Sequence, residues 1–304
     1  MIDTIDFAAL ETGVPDAREK LRRGVLETGF LRLSQTPISA QDLEAVLAAY
    51  RAFFARPLAE KQKVDMARTG SNRGWGASGS EQVDAGANPD YKEVFDCGFE
   101  LPPGDPLQAR GLLVYGPNQW PEAPEGFART VQAYYTQALA LCRALLRHIA
   151  EAAGRDAGSF DGCFTRPMAL LRSNYYPARP EWAGEKDFGI AAHTDYGCLT
   201  LLGSDGTAGL EVWGADACWH PVDMAPGEFV INFGEMLEMW TGGRVKATLH
   251  RVVGTQAERI SVPMFFNPNY DTDVSADGAQ PISAGEYLTR RYDETYVHLQ
   301  GKGA

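Results

Sequence analysis

The sequence predicts an α+β fold in which N-terminal helices, one of them long, back a closed or double-sheet β core. Three observations lead there. Apolar residues recur at helical spacing in three stretches before residue 153, while short β-branched and aromatic runs punctuated by Gly, Asp and Pro follow Gly162. No Ser/Gly-rich linker, long charge block or internal repeat divides the 304 residues, of which 44% are hydrophobic, so one large core is within reach.

The helices come first. Residues 15–28 open with Pro15, which suits a first helical turn. In 40–55, Leu43, Val46, Leu47, Tyr50 and Phe54 share one face. The longest, 124–153, carries Phe127, Val131, Tyr134, Ala138, Leu141, Leu145 and Ile149 in a single stripe, which reads as a core face. Strands are expected over 170–176, 191–195, 198–203, 210–213, 229–233, 245–253 and 259–266. Many short strands at such spacing suit a sandwich or barrel.

Charge and cysteine content narrow the function. A net charge of −12 argues against nucleic-acid or anionic-membrane partners, which need clustered Lys and Arg. The opening Met1-Ile2-Asp3-Thr4-Ile5-Asp6 is acidic and does not read as a signal peptide, and no apolar stretch reaches membrane-spanning length. Cys97, Cys142, Cys163, Cys198 and Cys218 are odd in number and include no C-x-x-C pair, so they read as reduced and mostly buried. The expectation is a cytoplasmic protein acting on a small-molecule substrate, with no nucleic-acid or membrane partner and its oligomeric state open.

One constellation carries chemistry. His193-Thr194-Asp195 lies upstream of His250 and of Arg259-Ile260-Ser261. Two imidazoles and a carboxylate bind one face of Fe(II) and leave the other positions open for a chelating acid and O2. In an extended strand His193 and Asp195 point the same way, and His250 sits in a second β-like run, 246–253. His148, His220 and His298 have no metal-like partner nearby in the sequence. Arg259 and Ser261 would share a face of a neighbouring strand of the same sheet, where a guanidinium fork and a hydroxyl suit a carboxylate. Asn174 and Tyr176, at the end of the 170–176 run, could reach the same acid or be plain core residues.

These pieces resemble the isopenicillin N synthase-like family of 2-oxoglutarate- and Fe(II)-dependent dioxygenases. The matching segments are Asn174-Tyr175-Tyr176-Pro177, His193-Thr194-Asp195, Asn232-Phe233-Gly234-Glu235, His250-Arg251-Val252 and Arg259-x-Ser261, in the family's order. More loosely, Ile5-Asp6-Phe7 resembles its opening strand, Gly29-Phe30 its turn into a strand, and Gly74-Trp75-Gly76 its variable loop. The resemblance implies a double-stranded β-helix, or jelly roll, backed by the long helix. It implies a single catalytic domain over 1–304, with a mainly helical part at 1–160, the iron-bearing jelly roll at 161–270 and a C-terminal segment at 271–304.

It further implies that His193, Asp195 and His250 bind Fe(II), and that Arg259 and Ser261, assisted by Tyr176 and Asn174, hold 2-oxoglutarate. Decarboxylation of 2-oxoglutarate to succinate would then be coupled, with O2, to oxidation of the substrate. Halogenating relatives replace the carboxylate ligand by a small residue, so Asp195 favours hydroxylation, desaturation or cyclisation. Glu235 departs from the family's usual Asp at a position that is not a ligand. Two alternatives stay open: an Fe(II) oxidase that uses the clamp for its substrate's own carboxylate, and a non-catalytic jelly-roll binding protein. Residues 73–76, 91–99 and 266–270 are expected to shape the substrate cavity. Arg73, Lys92 and Arg172 could meet an acidic substrate, although each reads first as a solvated charge or a surface ion-pair partner.

Overall fold

Asp6 ends β1 (Thr4–Asp6) and caps α1 (Phe7–Glu11), its carboxylate accepting from the Ala9 N–H at 2.9 Å. The computed structural model describes all residues except 1, 82–85, 87, 180, 182, 185–188, 277 and 296–304, so His298 lies outside the described residues. The helix expected over 15–28 forms as α2 (Pro15–Arg23) followed by a π-turn, Gly24–Thr28. Gly24, where the change begins, packs so tightly that a Cβ there would lie 1.9 Å from Leu31 Cδ2. The turn then leads into β2 (Phe30–Ser34).

A reciprocal capping box between Ser39 and Asp42 starts α3 (Ala40–Phe54), which buries the five apolar residues of its expected face. Two single turns follow, α4 (Leu58–Lys61) and α5 (Met66–Thr69), and then β3 (Gly74–Gly76) and β4 (Glu93–Gly98). The long helix is α6 (Phe127–Ala152), and every residue of its stripe is buried. Then come β5 (Leu170–Tyr176), β6 (Ile190–His193), β7 (Leu199–Ser204), β8 (Leu210–Trp213), β9 (Trp219–Pro221) and β10 (Phe229–Phe233). The chain closes with α7 (Glu235–Trp240), β11 (His250–Val252), β12 (Arg259–Phe266) and α8 (Ala284–Thr295).

The strands form two sheets: eight in the order β1-β2-β10-β7-β12-β5-β4-β3, and four in the order β6-β11-β8-β9. All pairings but β1 with β2 are antiparallel. Helices α3 and α6 pack on β7, β12 and β5 of the large sheet. This is a jelly roll backed by the long helix.

Several expectations change. β3 and β4, read from sequence as loop, extend the large sheet, because Val94 and Phe95 pack inside while Glu93 and Asp96 disguise the strand as polar. β9 and α8 were not foreseen; α8 buries only Ala284, Gly285, Leu288 and Thr295, a sparse signal. The run at 245–253 contributes just three residues to β11, with Ala247 in an isolated bridge to Phe233. All five cysteines are free, three of them buried. Among the described residues no helix is long and apolar enough to cross a membrane.

Candidate metal and co-substrate site

His193 ends β6 and His250 begins β11, and the two residues face each other across the antiparallel pair. Asp195 lies two residues beyond the strand, in a turn rather than on the extended strand expected. Its carboxylate nevertheless swings to the same point: Oδ1 lies 3.7 Å from His193 Nε2 and 3.8 Å from His250 Nε2. The candidate ligand atoms of the three residues fall within 4.8 Å of one another.

The surrounding bonds leave one atom of each free. His193 Nδ1 donates to the Ala191 carbonyl at 2.8 Å and His250 Nδ1 to the Thr248 carbonyl at 3.0 Å. A carbonyl only accepts, so each Nδ1 carries the proton and each Nε2 keeps its lone pair. Asp195 Oδ2 accepts from Thr200 Oγ1 at 2.5 Å and Asn232 Nδ2 at 2.6 Å, leaving Oδ1 facing the imidazoles. Thr200 and Asn232 are partners in the β7–β10 ladder, so one cross-strand pair orients the carboxylate. Burial and the neighbouring His250 hold His193 below its ordinary range, in its neutral form. Burial would raise Asp195, but His250, His193 and the two hydrogen bonds outweigh it and keep it ionised.

The clamp assembles across a ladder as well. Arg259 pairs with Tyr176, and Ser261 with Asn174, between β12 and β5. Arg259 therefore belongs to the large sheet while His250 belongs to the small one, correcting the expectation of a shared sheet; the 253–258 connection crosses the sandwich. Arg259 is 4% exposed, its Nε donates to the Thr207 carbonyl at 3.2 Å, and its Nη1 is buried without a hydrogen-bond partner. Asn174 Oδ1 is likewise buried and unpartnered. A buried guanidinium N–H with no acceptor fits an incoming carboxylate. The Arg259 guanidinium sits over the Tyr176 ring at 5.1 Å, and burial raises the Tyr176 hydroxyl, partly offset by Arg259.

Two cavities meet at the triad. One is lined by Asn174, Tyr176, His250, Arg259 and Ser261. The other is lined by Glu81, Lys92, Arg172, Tyr196 and three residues of α8. His193 and Asp195 border both. A larger groove of about 900 Å³ lies elsewhere and includes no triad residue.

Arg73, Lys92 and Arg172 correct the sequence reading, for none is solvated: they are 3%, 3% and 8% exposed. Strand β4 and its neighbours bury them, and buried carboxylates compensate two of them. Arg172 makes paired bonds to Asp96 and also meets Glu81, while Lys92 contacts Asp90 at 2.7 Å and Glu81 at 2.9 Å. Arg73 donates instead to the Asn72 and Val114 carbonyls. Of the stretches expected to shape the cavity, Lys92 and Asn267 reach it, whereas Trp75 is held by Glu93 on the far side of β4. His148 and His220 pair with Glu11 and Asp216, away from the triad. Thr200, Glu81 and α8 were missed from sequence; Asn232, inside the Asn-Phe-Gly-Glu motif, was the one visible signal.

Comparison with known proteins bears on this geometry. The family model for the 2OG-Fe(II) oxygenase superfamily matches residues 167–268, and that for the non-haem dioxygenase in morphine synthesis N-terminal region matches 2–123. The 2-oxoglutarate-Fe(II) type oxidoreductase hxnY of Emericella nidulans is 32% identical over 277 residues, covering 88% of this chain and 79% of that one. The chain belongs to the 2OG-Fe(II) oxygenase superfamily. A homoarginine-6-hydroxylase of Arabidopsis thaliana is 33% identical over 271 residues, with 88% and 81% covered. Among solved structures, a full-length Neurospora crassa protein in complex with alpha-KG (2-oxoglutarate) and thymine superposes with a TM-score of 0.84 at 28% identity, covering 96% of each chain. This oxygenase is therefore an oxidoreductase whose cofactors are Fe(II) and 2-oxoglutarate, used with O2, and its turnover couples decarboxylation of 2-oxoglutarate to oxidation of a substrate. That outcome sets aside both the 2-oxoglutarate-independent oxidase and the non-catalytic binding protein.

Proposed function

We propose that His193, Asp195 and His250 hold the Fe(II), and that Arg259 and Ser261, with Tyr176 and Asn174, receive the distal carboxylate of 2-oxoglutarate. The observation that carries this is the pattern of free atoms: His193 Nε2, His250 Nε2 and Asp195 Oδ1 converge while the partner atom of each is already hydrogen-bonded. When bound, the metal with 2-oxoglutarate and O2 supplies oxidative decarboxylation to succinate and CO2 together with oxidation of a C–H bond. The chain's residues provide orientation and dryness. Thr200 and Asn232 fix the Asp195 carboxylate, Arg259 neutralises a distal carboxylate in a buried pocket, and Leu199 and Phe265 help exclude water from the cavity.

The substrate we infer is a polar small molecule, hydroxylated in the cavity bounded by Lys92, Arg172 and Tyr196. The N. crassa relative binds thymine and the A. thaliana relative is a homoarginine hydroxylase, and a lining that mixes ionic and apolar groups suits compounds of that kind. The free cysteines and acidic surface support a cytoplasmic location, and the sheet that joins β1–β4 to the jelly roll supports one catalytic unit over 1–304.

The test is anaerobic titration of the protein with Fe(II) and 2-oxoglutarate, followed by visible absorption. The wild-type protein should develop a metal-to-co-substrate charge-transfer band and, in air, release succinate; His193→Ala should lose both. Unchanged Fe(II) binding in His193→Ala would sink the ligand assignment. A screen of small metabolites for a gain of one oxygen by mass spectrometry then identifies the substrate.

A further inference from the structure

Glu235 has its two carboxylate oxygens committed in opposite directions. Oε1 accepts from Thr194 Oγ1, the residue between His193 and Asp195, at 2.5 Å. Oε2 accepts from the Tyr287 hydroxyl at 2.9 Å and lies 3.2 Å from Arg291 Nη1, both on α8. The backbone grips the same turn: the Glu235 and Met236 N–H groups donate to the Asp195 and Tyr196 carbonyls at 2.8 and 3.2 Å. Glu235 is thus fastened to the 193–196 turn by main chain and side chain, and to α8 by a charge-assisted contact.

Helix α8 carries two adjoining stripes. Tyr287 and Arg291, four apart, face Glu235; Leu288, Tyr292 and Thr295, spaced i, i+4, i+7, line the cavity on the side of the triad away from Arg259. The far end of the helix is tied to the same turn, with Thr295 Oγ1 2.5 Å from the Tyr196 hydroxyl and the Arg291 guanidinium 4.2 Å over the Tyr196 ring.

We propose that Glu235 is a positioning residue that registers α8, one wall of the substrate cavity, against the His193–Asp195 turn. The inference rests on the ligand assignment above. Occupying the metal site restrains the turn and with it the Thr194 hydroxyl, so the Glu235 carboxylate is held in the orientation that meets Arg291 and Tyr287. Filling one site then seats the wall of the other. By linkage, a seated α8 favours metal and co-substrate retention to the same degree. A side chain one methylene shorter would span less of the gap between Thr194 and α8, so the length of Glu235 has a structural use here.

Hydrogen exchange of residues 284–295 in the full chain tests this, measured empty and loaded with Mn(II) plus 2-oxoglutarate, a pair that does not turn over. Loading should slow exchange of α8 in the wild type by roughly 5-fold or more, the usual lower range of coupling between sites. Glu235→Gln keeps an acceptor for Thr194 but loses the charge facing Arg291; it should still bind Mn(II) and 2-oxoglutarate while the loading-dependent protection disappears. A merely structural Glu235 would raise exchange equally in empty and loaded protein, leaving the difference intact. Arg291→Gln, which leaves the Thr194 contact untouched, should abolish the same protection and serves if Glu235→Gln does not fold. The proposal is overturned if α8 of the wild type ignores loading while Mn(II) and 2-oxoglutarate bind, or if both variants retain the protection. Failure of the wild type to bind the pair at all overturns the ligand assignment, and this proposal with it.

Discussion

Asp195 Oδ2 spends its lone pairs on Thr200 and Asn232, and that arrangement decides which oxygen is left to face the two imidazoles. Asn232→Leu removes one anchor and buries the carboxylate beside an apolar group, so Fe(II) affinity should fall about 10- to 100-fold, the usual cost of losing a group that orients a metal ligand. Equilibrium titration with Fe(II) or Co(II) measures it, and an unchanged affinity would remove Asn232 from the orienting role. At the clamp, Arg259→Gln should weaken 2-oxoglutarate binding by about 1.5–3 kcal/mol, roughly 10- to 150-fold, with little effect on metal binding. A proportional loss of metal binding would point instead to collapse of β12. His193 and Asp195 were readable in sequence because they stand two apart in one extended run, and His250 because Arg259-x-Ser261 follows it in a recognisable motif order; Thr200 was not, because one threonine in an apolar strand has no signature until Asn232 stands opposite it.

At the scale of elements, β6 and β11 from one sheet deliver the imidazoles while β12 and β5 from the other deliver the clamp, so the site exists only where the two sheets face each other. Helix α7 adds the third side. Its N-terminal Gly234 passes so close to the turn that a Cβ there would lie 2.3 Å from the Gly197 carbonyl oxygen and 2.7 Å from that of Asp195. Both obstacles are backbone and cannot rotate away. Gly234→Ala should therefore destabilise the protein by about 1–3 kcal/mol through overpacking and reduce metal occupancy in the folded fraction. Chemical denaturation together with metal analysis of the native protein checks this; full stability with full occupancy would show that the turn has room to give. Periodicity revealed α3 and α6, whose buried faces are broad, but not β4, whose core residues share the strand with a buried carboxylate, or α8, which buries few apolar side chains and is tied down through Tyr287, Arg291 and Thr295.

Across the whole molecule, Glu81, Asp90, Lys92, Asp96 and Arg172 form a buried ionic cluster, of which Glu81, Lys92 and Arg172 line the cavity beside the triad. Burial alone would raise the Glu81 carboxyl, yet Arg172 and Lys92 overcome it and bring it from 4.5 down to about 2. A carboxyl depressed in the folded state contributes stability above its ordinary value and loses that contribution as pH falls from about 4.5 toward 2. Glu81→Gln should cost about 3–5 kcal/mol at neutral pH, because it strands buried cations, and should lose less further stability than wild type over that acid window. Urea unfolding at pH 7, 4.5 and 3 decides it: an acid loss equal to that of wild type would exclude Glu81 as the titrating group. By itself the sequence determined the helices of the first half and the strand-rich second half, which follow from local periodicity, and it put forward His193, Asp195, His250, Arg259 and Ser261 as site candidates through motifs in a recognisable order. Only the tertiary structure decided that His250 and Arg259 stand on opposite sheets, that Thr200 and Asn232 aim the carboxylate, and that Arg172 and Lys92 are buried and paired. The reason is physical: each of those facts depends on how separate strands and loops pack against one another, and it comes into being only when the two sheets close over the site.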